Sequence, residues 1–582
     1  MSARELITDH LDLWTGAVTT KSTAGRANSS GMRGKIELTG IKKLRELILE
    51  LAVRGKLVEQ DPNDEPASVL LERITEEKAR LVKEGKIKKP KKLPEITEEE
   101  KSFDTPDNWT WVRLCDLGHT QTGSTPSKSN PSFFGNEIPF IKPGDITEIG
   151  INYDNEGLTE SGKIALGKWA EPGSILMVCI GTIGKCGVID QQSCFNQQIN
   201  SVTPFICQMS IFILICLKSP YFQGLAWEKS SSTTISILNK GKWGSIPLPL
   251  PPLEEQYRIV EKVDELMALC DRLEQQVGDQ LEAHEVLVDT LLDALTRSAN
   301  AAELAENWSR IAEHFDTLFT TEASIDKLKK TILQLAVMGR LVAQDAGDEP
   351  GGAVVSKMLQ LRDHLASTNG MRTKASDSLS SNEQYLKTPS SWAWVRLGNM
   401  AKFIDYRGKT PTKTSNGKRL ITAKNIRQGY IDLEPEEFIS EGDYTKWMTR
   451  GFPRKGDMLF TPEAPLGNAA VIDLDEEFAL AQRAICFQWH VPATSRFMLI
   501  QTMASPFQEK LVENATGMTA TGIKASKLKE IPVAIPPLEE QHRIVEKVDE
   551  LIALCDHLKA RLSEASDTRT QLAEAVVEKA VS

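Results

Sequence analysis

Residues 251–271 read PPLEEQYRIVEKVDELMALCD, and residues 536–556 read PPLEEQHRIVEKVDELIALCD. Only Tyr257/His542 and Met267/Ile552 differ between them. An element this long, repeated 285 residues further on, makes the chain two copies of one plan. Two similar halves on one polypeptide can form a pseudo-two-fold molecule, suited to an object that is itself two-fold, such as a duplex or a pair of identical partners.

Two further segments repeat. IKKLRELILELAVRGKLVEQDPNDEP (41–66) matches IDKLKKTILQLAVMGRLVAQDAGDEP (325–350), and TPDNWTWVRL (105–114) matches TPSSWAWVRL (388–397). A fainter echo pairs ITDHLDLW (7–14) with IAEHFDTLF (311–319), which opens the second copy near Asn307. Residues 115–245 and 398–530 share little beyond length. A common frame therefore carries two dissimilar inserts. The expected domains are a helical segment with linker at 1–104, an insert at 105–250 and a long helix at 251–300. The second copy repeats them at 301–387, 388–535 and 536–582.

At 582 residues there is room for three to five domains. The opening residues Met1–Asp12 lack a basic start and an apolar run, so no signal peptide is expected. The most apolar stretch, MSIFILICL (209–217), is too short to span a bilayer and is expected to be a buried helix or strand. Nine scattered cysteines without C-x-x-C pairs point to reduced thiols in a cytoplasmic protein, with no zinc site. The net charge of −11 argues against nucleic acid only if it is evenly spread. It is not. Residues 388–536 hold 19 Lys and Arg against 16 Asp and Glu, and residues 105–251 hold 10 against 11, so the acid excess lies mostly on the helical segments.

The spacing of Leu44, Leu47, Ile48 and Leu51 predicts a helix ending near Gly55, followed by another over 67–84. The basic run KEGKIKKPKKLP (83–94) reads as a solvated linker, since 366–387 in the second copy is rich in Ser and Asn instead. Both inserts alternate strand-like runs, EIPFI and SILMVCI in the first and KRLITA and DMLFT in the second, with Gly, Pro and Asn turns, giving mixed α/β character. Each ends at a proline-rich exit, IPLPLPP or IPVAIPP, that cannot be helical and fixes the start of the next helix. From Ile259, a 3–4 spacing runs through Val263, Leu266, Cys270, Leu273, Val277, Gln280, His284, Leu287 and Leu291. From Ile544 the same register runs through Val548, Leu551, Cys555, Leu558, Leu562, Ala565, Arg569, Leu572 and Val576. The expected architecture is α+β: two globular α/β domains joined and separated by two long helices in an antiparallel coiled coil. Such helices span roughly 65 Å at 1.5 Å per residue and would act as a ruler.

Catalytic motifs are missing from the sequence. NPSF (130–133) approaches the N-P-P-[YF] loop of amino-methyltransferases, but no Gly-rich strand–turn–helix precedes it. GTIGKC (181–186) lacks phosphate-loop spacing and reads as a tight turn between strands. Residues suited to duplex contact are present in both inserts. In the first they are Thr125, Ser127, Lys128, Lys142, Gln197, Gln198 and Thr233. In the second they are Arg407, Lys409, Thr410, Lys424, Gln482, Arg483, Thr519 and Lys524. Lys and Arg suit phosphates and guanine edges, and Gln suits adenine.

These motifs resemble the specificity subunit of type I restriction–modification enzymes, over nearly the whole chain. The resemblance is carried by W-x-W-V-R-L at the start of each insert, G-S-T-P-S and Y-R-G-K-T-P as insert openers, and P-P-L-E-E-Q-x-R-I-V-x-K-V-D-E-L at the start of each long helix. The ILELAVRGKLV element points to the branch with repeated N-terminal segments. The resemblance implies two target recognition domains, each reading half of a bipartite site in double-stranded DNA. It also implies that the helices set the unread gap and dock two modification (methyltransferase) subunits, with restriction (translocase and nuclease) subunits joining them. This chain would bind no cofactor and no membrane. S-adenosylmethionine, ATP and Mg2+ would belong to the partners, which methylate adenine and cleave DNA. The alternatives are a scaffold bridging two partners without touching DNA, and a stand-alone adenine methyltransferase.

Overall fold

The computed structural model describes residues 3–21, 35–89, 93–231, 235–368, 379–406, 411–517 and 521–581. It divides into two compact units, Met1–Gln280 with Ala565–Ser582, and Leu281–Glu564. Within each unit the three repeated segments meet at one junction.

In the first unit the helix Thr39–Val53 is followed by Gly55 at φ 67°. A Cβ there would lie 2.6 Å from Pro106 Cγ and 3.1 Å from Trp109 Cζ2, so only glycine satisfies both the left-handed turn and the close approach. Trp109 is buried and its Nε1 donates to Glu255 Oε2 at 2.9 Å, while Gln60 Nε2 donates to Glu255 Oε1 at 2.6 Å. Arg258 grips Asp64 with both terminal nitrogens, at 3.1 and 2.6 Å. The second unit repeats the junction. Gly339 (φ 67°) lies against Pro389 and Trp392, Trp392 Nε1 donates to Glu540 at 3.0 Å, Gln344 donates to it at 2.6 Å, and Arg543 holds Asp348. These contacts explain why the same three stretches recur: each stretch supplies part of one interlocking joint.

The joint has a pH signature. Burial pushes the Glu255 and Glu540 carboxyls above the ordinary glutamate range, against the lowering effect of their indole and amide donors. A raised folded-state value means the native state holds the proton more tightly than the unfolded chain does. Stability linked to these groups is therefore highest at acid pH and is lost as pH rises from the ordinary glutamate value through the raised one. Glu255→Gln and Glu540→Gln are expected to flatten that slope in denaturant titrations run from the ordinary glutamate value upward. A slope identical to the parent's in both variants would contradict the burial argument.

The two inserts, dissimilar in sequence, have one topology. Each is closed by a strand pair in which the repeated W-x-W-V-R strand meets the proline exit. Thr110–Arg113 runs antiparallel to Pro247–Leu250, and Ala393–Arg396 to Pro532–Ile535. The prolines are tolerated because each pair is two-stranded, with an edge that needs no donor. Next comes a four-stranded sheet with its central strands at Ile199–Pro204 and Ile175–Val178, flanked by Gly118–Thr122 and Cys186–Val188. Its counterpart has Ile485–Trp489 and Met458–Pro462 between Ala401–Asp405 and Leu466–Val471. A three-stranded piece is also shared. Phe134–Ile141 lies between Gly157–Leu158 and a parallel partner, Cys194–Phe195, and Lys418–Ile421 lies between Phe438–Ile439 and Phe478–Leu480. The inserts share little in sequence, and the mixed α/β character expected of each takes the form of one common topology.

The apolar run 209–217 forms the helix Ser210–Lys218, with Phe212, Ile213, Ile215, Cys216 and Leu217 buried in the core of the first unit. The following helix, Pro220–Glu228, uses Gln223 to tie the turn after the Ile175–Val178 strand: its Nε2 donates to Gly184 O at 3.0 Å and Leu217 O at 2.5 Å. Gln508 does the same to Gly467 O at 2.9 Å and Thr502 O at 2.6 Å. Among the described residues no single helix is long and apolar enough to cross a membrane. All nine cysteines are unpaired. The basic run 83–94 lies partly outside the described residues.

The long helices are Leu253–Arg297 and Leu538–Val581, both unbroken. The sequence seam is inward through Ile259, Val263, Leu266 and Cys270, and through Ile544, Val548 and Cys555. It then shifts by one residue. Gln280 and Leu287 are exposed while Val288, Leu292 and Leu295 are buried. Ala565, Arg569 and Leu572 are likewise exposed while Ala573 is buried, with Ser566, Val576, Val577 and Ala580 partly so. The cause is the mismatch between a 3.5 repeat and 3.6 residues per turn, about 20° per heptad. Three heptads past Ile259, Gln280 has drifted about 60° off the seam, and its neighbour Leu281 lies nearer to it. The same arithmetic carries Ile544 to Ala565 and favours Ser566. His284 stays half-buried with Nε2 3.1 Å from Thr317 O, and Ser566 Oγ donates to Val18 O at 2.5 Å.

Candidate nucleic-acid interface

The sequence-nominated residues of the first unit sit on loops at the strand ends of its insert. Gly123 follows the strand Gly118–Thr122, and a Cβ there would lie 2.2 Å from the carbonyl oxygens of both Phe195 and Asn196. That close approach brings the GSTPS loop against FNQQIN, and Thr125 Oγ1 donates to Gln197 Oε1 at 2.6 Å. Both residues are exposed. Asn196 braces the FNQQIN turn: its Oδ1 accepts from Gln198 N at 3.0 Å, and its Nδ2 donates to Gln198 Oε1 at 3.0 Å. Cys179 N donates to Gln198 O at 2.8 Å, Gly181 N donates to Ser236 O at 3.0 Å, and Leu238 N donates to Cys179 O at 2.8 Å. The GTIG turn and the loop after the Ser-Thr run are thereby joined to the glutamines. Ser127 and Lys128 are exposed on the GSTPS loop, with Ser127 Oγ 2.7 Å from Ser129 Oγ. Thr233 lies outside the described residues.

Lys142 starts a turn pinned by Asp145, whose Oδ2 accepts from Lys142 N at 2.7 Å, and its Nζ is paired with Glu156. The turn adjoins FNQQIN, since Asn196 N donates to Ile141 O at 3.1 Å. In the second unit Asn425 plays the part of Asp145, accepting from Thr422 N at 3.0 Å, and Lys424 projects from that turn, exposed. Ala481 N donates to Ile421 O at 2.9 Å, which brings Gln482 and Arg483 beside it. Lys524, exposed, follows Ile523, whose N donates to Pro462 O at 2.9 Å. Arg407, Lys409, Thr410 and Thr519 lie outside the described residues.

The sequence reading missed several members. Lys168 Nζ donates to Thr122 O at 3.1 Å and Lys240 Nζ to Thr120 O at 3.4 Å, placing two cations on the strand that feeds the GSTPS loop. Burial, with Lys240 nearby, holds His119 on that strand below the usual histidine range, so it adds no charge at neutral pH. Glu463 was also missed; its Oε1 is 3.0 Å from Arg483 Nε. The NPSF loop serves its own turn. Asn130 Oδ1 accepts from Ser132 N at 3.3 Å and Ser132 Oγ at 2.8 Å, capping a short 3-10 turn. An asparagine engaged in capping is not presented to a target amine.

Two like-folded inserts, each bearing hydroxyl, amide and basic side chains on its loops and set on a repeated helical frame, define a modular recognition protein. The chain matches the type I restriction modification DNA specificity domain twice, over residues 106–283 and 389–565, and belongs to that family. It is 38% identical to the type I restriction enzyme EcoAI specificity subunit of Escherichia coli and 36% identical to the EcoEI specificity subunit of the same organism, over the full length of all three chains. The crystal structure of the HsdS subunit from Thermoanaerobacter tengcongensis aligns with a TM-score of 0.41 at 18% identity, over 82% of this chain and 98% of that one.

Proposed function

We propose that this chain is the non-catalytic specificity subunit of a type I restriction–modification complex, in which the insert of each unit reads one half of a bipartite DNA site. The observation that carries this reading is a single topology bearing two different loop chemistries. Thr125 and Gln197 are joined in the first insert, and Glu463 and Arg483 in the second. Identical frames with identical loops would read one sequence twice, and unrelated frames would not be held in one plan. The long helices set the unread gap and dock two modification subunits, with restriction subunits joining them in the cytoplasm. Double-stranded DNA is the ligand. Adenine methylation and ATP-driven cleavage belong to the partners.

The test is to map methylated adenines in cells carrying the whole system. A sequence of two specified halves with a constant gap is expected; a contiguous site, or methylation without sequence, would overturn the reading. The ruler role has its own prediction. Adding one heptad to the middle of both long helices lengthens the rods by about 10 Å. At 3.4 Å per base pair, the mapped gap is expected to grow by about three pairs. An unchanged gap would remove the helices from that role and leave the reading loops untouched.

A further inference from the structure

The shared topology lets positions be matched between the inserts where the sequences cannot be aligned. Asn200 is opposite Met177 in the first sheet and Ile485 is opposite Phe460 in the second. Val188 faces Ile175, and Val471 faces Met458. These ladders put Gln198 and Arg483 at one place, and Ile180 and Glu463 at another. The second match is independently supported, because Ile180 bridges to Ile237 and Glu463 to Gly522 on the corresponding late loops. Around these two places the frame is the same: the turn glycines Gly184 and Gly467 both have positive φ, and each is tied by its glutamine. At the two places themselves the chemistry differs, Ile and Gln in one unit, Glu and Arg in the other.

Arg483 and Glu463 are built for contact. Their side chains are 56% and 42% exposed, although they pair. An ion pair this exposed contributes little to stability, so the fold gains little from it. Arg483 also takes φ 69°, a left-handed conformation that residues with a Cβ rarely adopt. Glu463 Oε1 lies 3.0 Å from Nε, and among the described residues no hydrogen bond engages the two terminal nitrogens, the fork that matches guanine O6 and N7. The carboxylate keeps a second oxygen, able to accept from cytosine N4. One Arg and one Glu held side by side thus present complementary groups to the two bases of a single pair. In the first unit, Gln198 Oε1 accepts from Asn196 and retains a lone pair, so the amide offers adenine its acceptor and donor together. Half-buried Ile180 offers the apolar surface that suits a thymine methyl group.

We propose that Glu463 and Arg483 jointly read one C·G pair in the half-site of the second unit, and that Ile180 and Gln198, at the matching places, read a T·A pair in the half-site of the first. This rests on the reading of the inserts as DNA-binding modules. It adds which two positions carry discrimination and what each prefers.

The test selects duplexes from a library randomised at both half-sites, using the full chain in its assembled complex. The parent is expected to require C·G at one position of one half-site. Glu463→Ile with Arg483→Gln is expected to move that position to T·A, a change of preference of about ten- to a hundredfold, with the other half-site unaltered. Arg483→Lys, which keeps the charge and loses the fork, is expected to weaken the guanine preference without creating a new one. The reciprocal pair, Ile180→Glu with Gln198→Arg, is expected to move one position of the other half-site to C·G, which keeps the test decisive should the first double variant fail to fold. A parent that enriches a bipartite motif, with variants that enrich the same motif, overturns this inference alone. A parent that enriches no sequence overturns the DNA-recognition reading, and this inference with it.

Discussion

Exchanging residues 105–250 for the insert of another specificity subunit is expected to change one half of the recognised sequence and to leave the other half and the gap as they were. The exchange points are chosen just outside one strand pair. The insert closes on itself through Thr110–Arg113 paired with Pro247–Leu250, so both ends of the exchanged piece leave from one two-stranded ladder. What it needs from the frame is the joint at Glu255, and what the frame needs from it is the indole of Trp109, 2.9 Å away. A donor carrying tryptophan at that place will seat; one without it will leave a buried carboxylate short of a donor. Each altered base pair is worth about 1–3 kcal/mol, so three altered pairs move the preference by about a hundredfold or more. Methylation mapping reads the result directly. If both halves of the site changed together, reading would be a property of the whole chain, and the division into modules would be lost.

The frame was legible in the sequence because its residues are specified by one another. Gly55, Pro106, Trp109 and Glu255 form a joint in which each member touches another, and the second copy preserves all four as Gly339, Pro389, Trp392 and Glu540. The kinship of the inserts was illegible for the opposite reason. Strand interiors ask mainly for apolar side chains of suitable volume, so Met177 and Phe460, or Val202 and Phe487, serve the same place. The strand runs EIPFI, SILMVCI, KRLITA and DMLFT could be found one by one, but their order in the sheets follows from long-range pairing that no local pattern encodes.

The candidate site was legible as composition and hidden as geometry. Thr125 and Gln197 were each nominated for their chemistry, yet they are 72 residues apart and their 2.6 Å contact depends on the close approach at Gly123. Glu463 was passed over because an acid on a proline turn carries no signal for DNA until Arg483 is found beside it. The GTIG turn held the missing clue: once strands flank it, TPEAPLG in the second insert is its counterpart, and Glu463 falls where Ile180 does. The seam of the long helices failed at a predictable distance. A 3.5 repeat read from sequence stays inward for two heptads or so on a helix of 3.6 residues per turn, and then yields to its neighbour.

Trp392→Ala is expected to lower the stability of the second unit by about 3–5 kcal/mol, and Trp109→Ala to do the same to the first. Trp392 is 7% exposed and meets Phe497 edge-on at 5.8 Å; Trp109 meets Phe212 at 6.4 Å in the same manner. Truncation leaves a cavity and strips the indole donor from a carboxylate already held above its ordinary value by burial. It also empties the space that Gly339 or Gly55 was shaped to meet. Phenylalanine at either place keeps most of the volume and loses the hydrogen bond, so it should cost about 1–3 kcal/mol. Hydrogen exchange separates the cases. Trp392→Ala should expose the amides of Ala393–Arg396 and Val533–Ile535, and Trp109→Ala those of Thr110–Arg113, Leu248 and Leu250. Alanine variants whose closing ladders stay as protected as the parent's would show that the repeated tryptophans fill space without holding the inserts to the frame. The joint would then lose its claim to be the reason the sequence repeats.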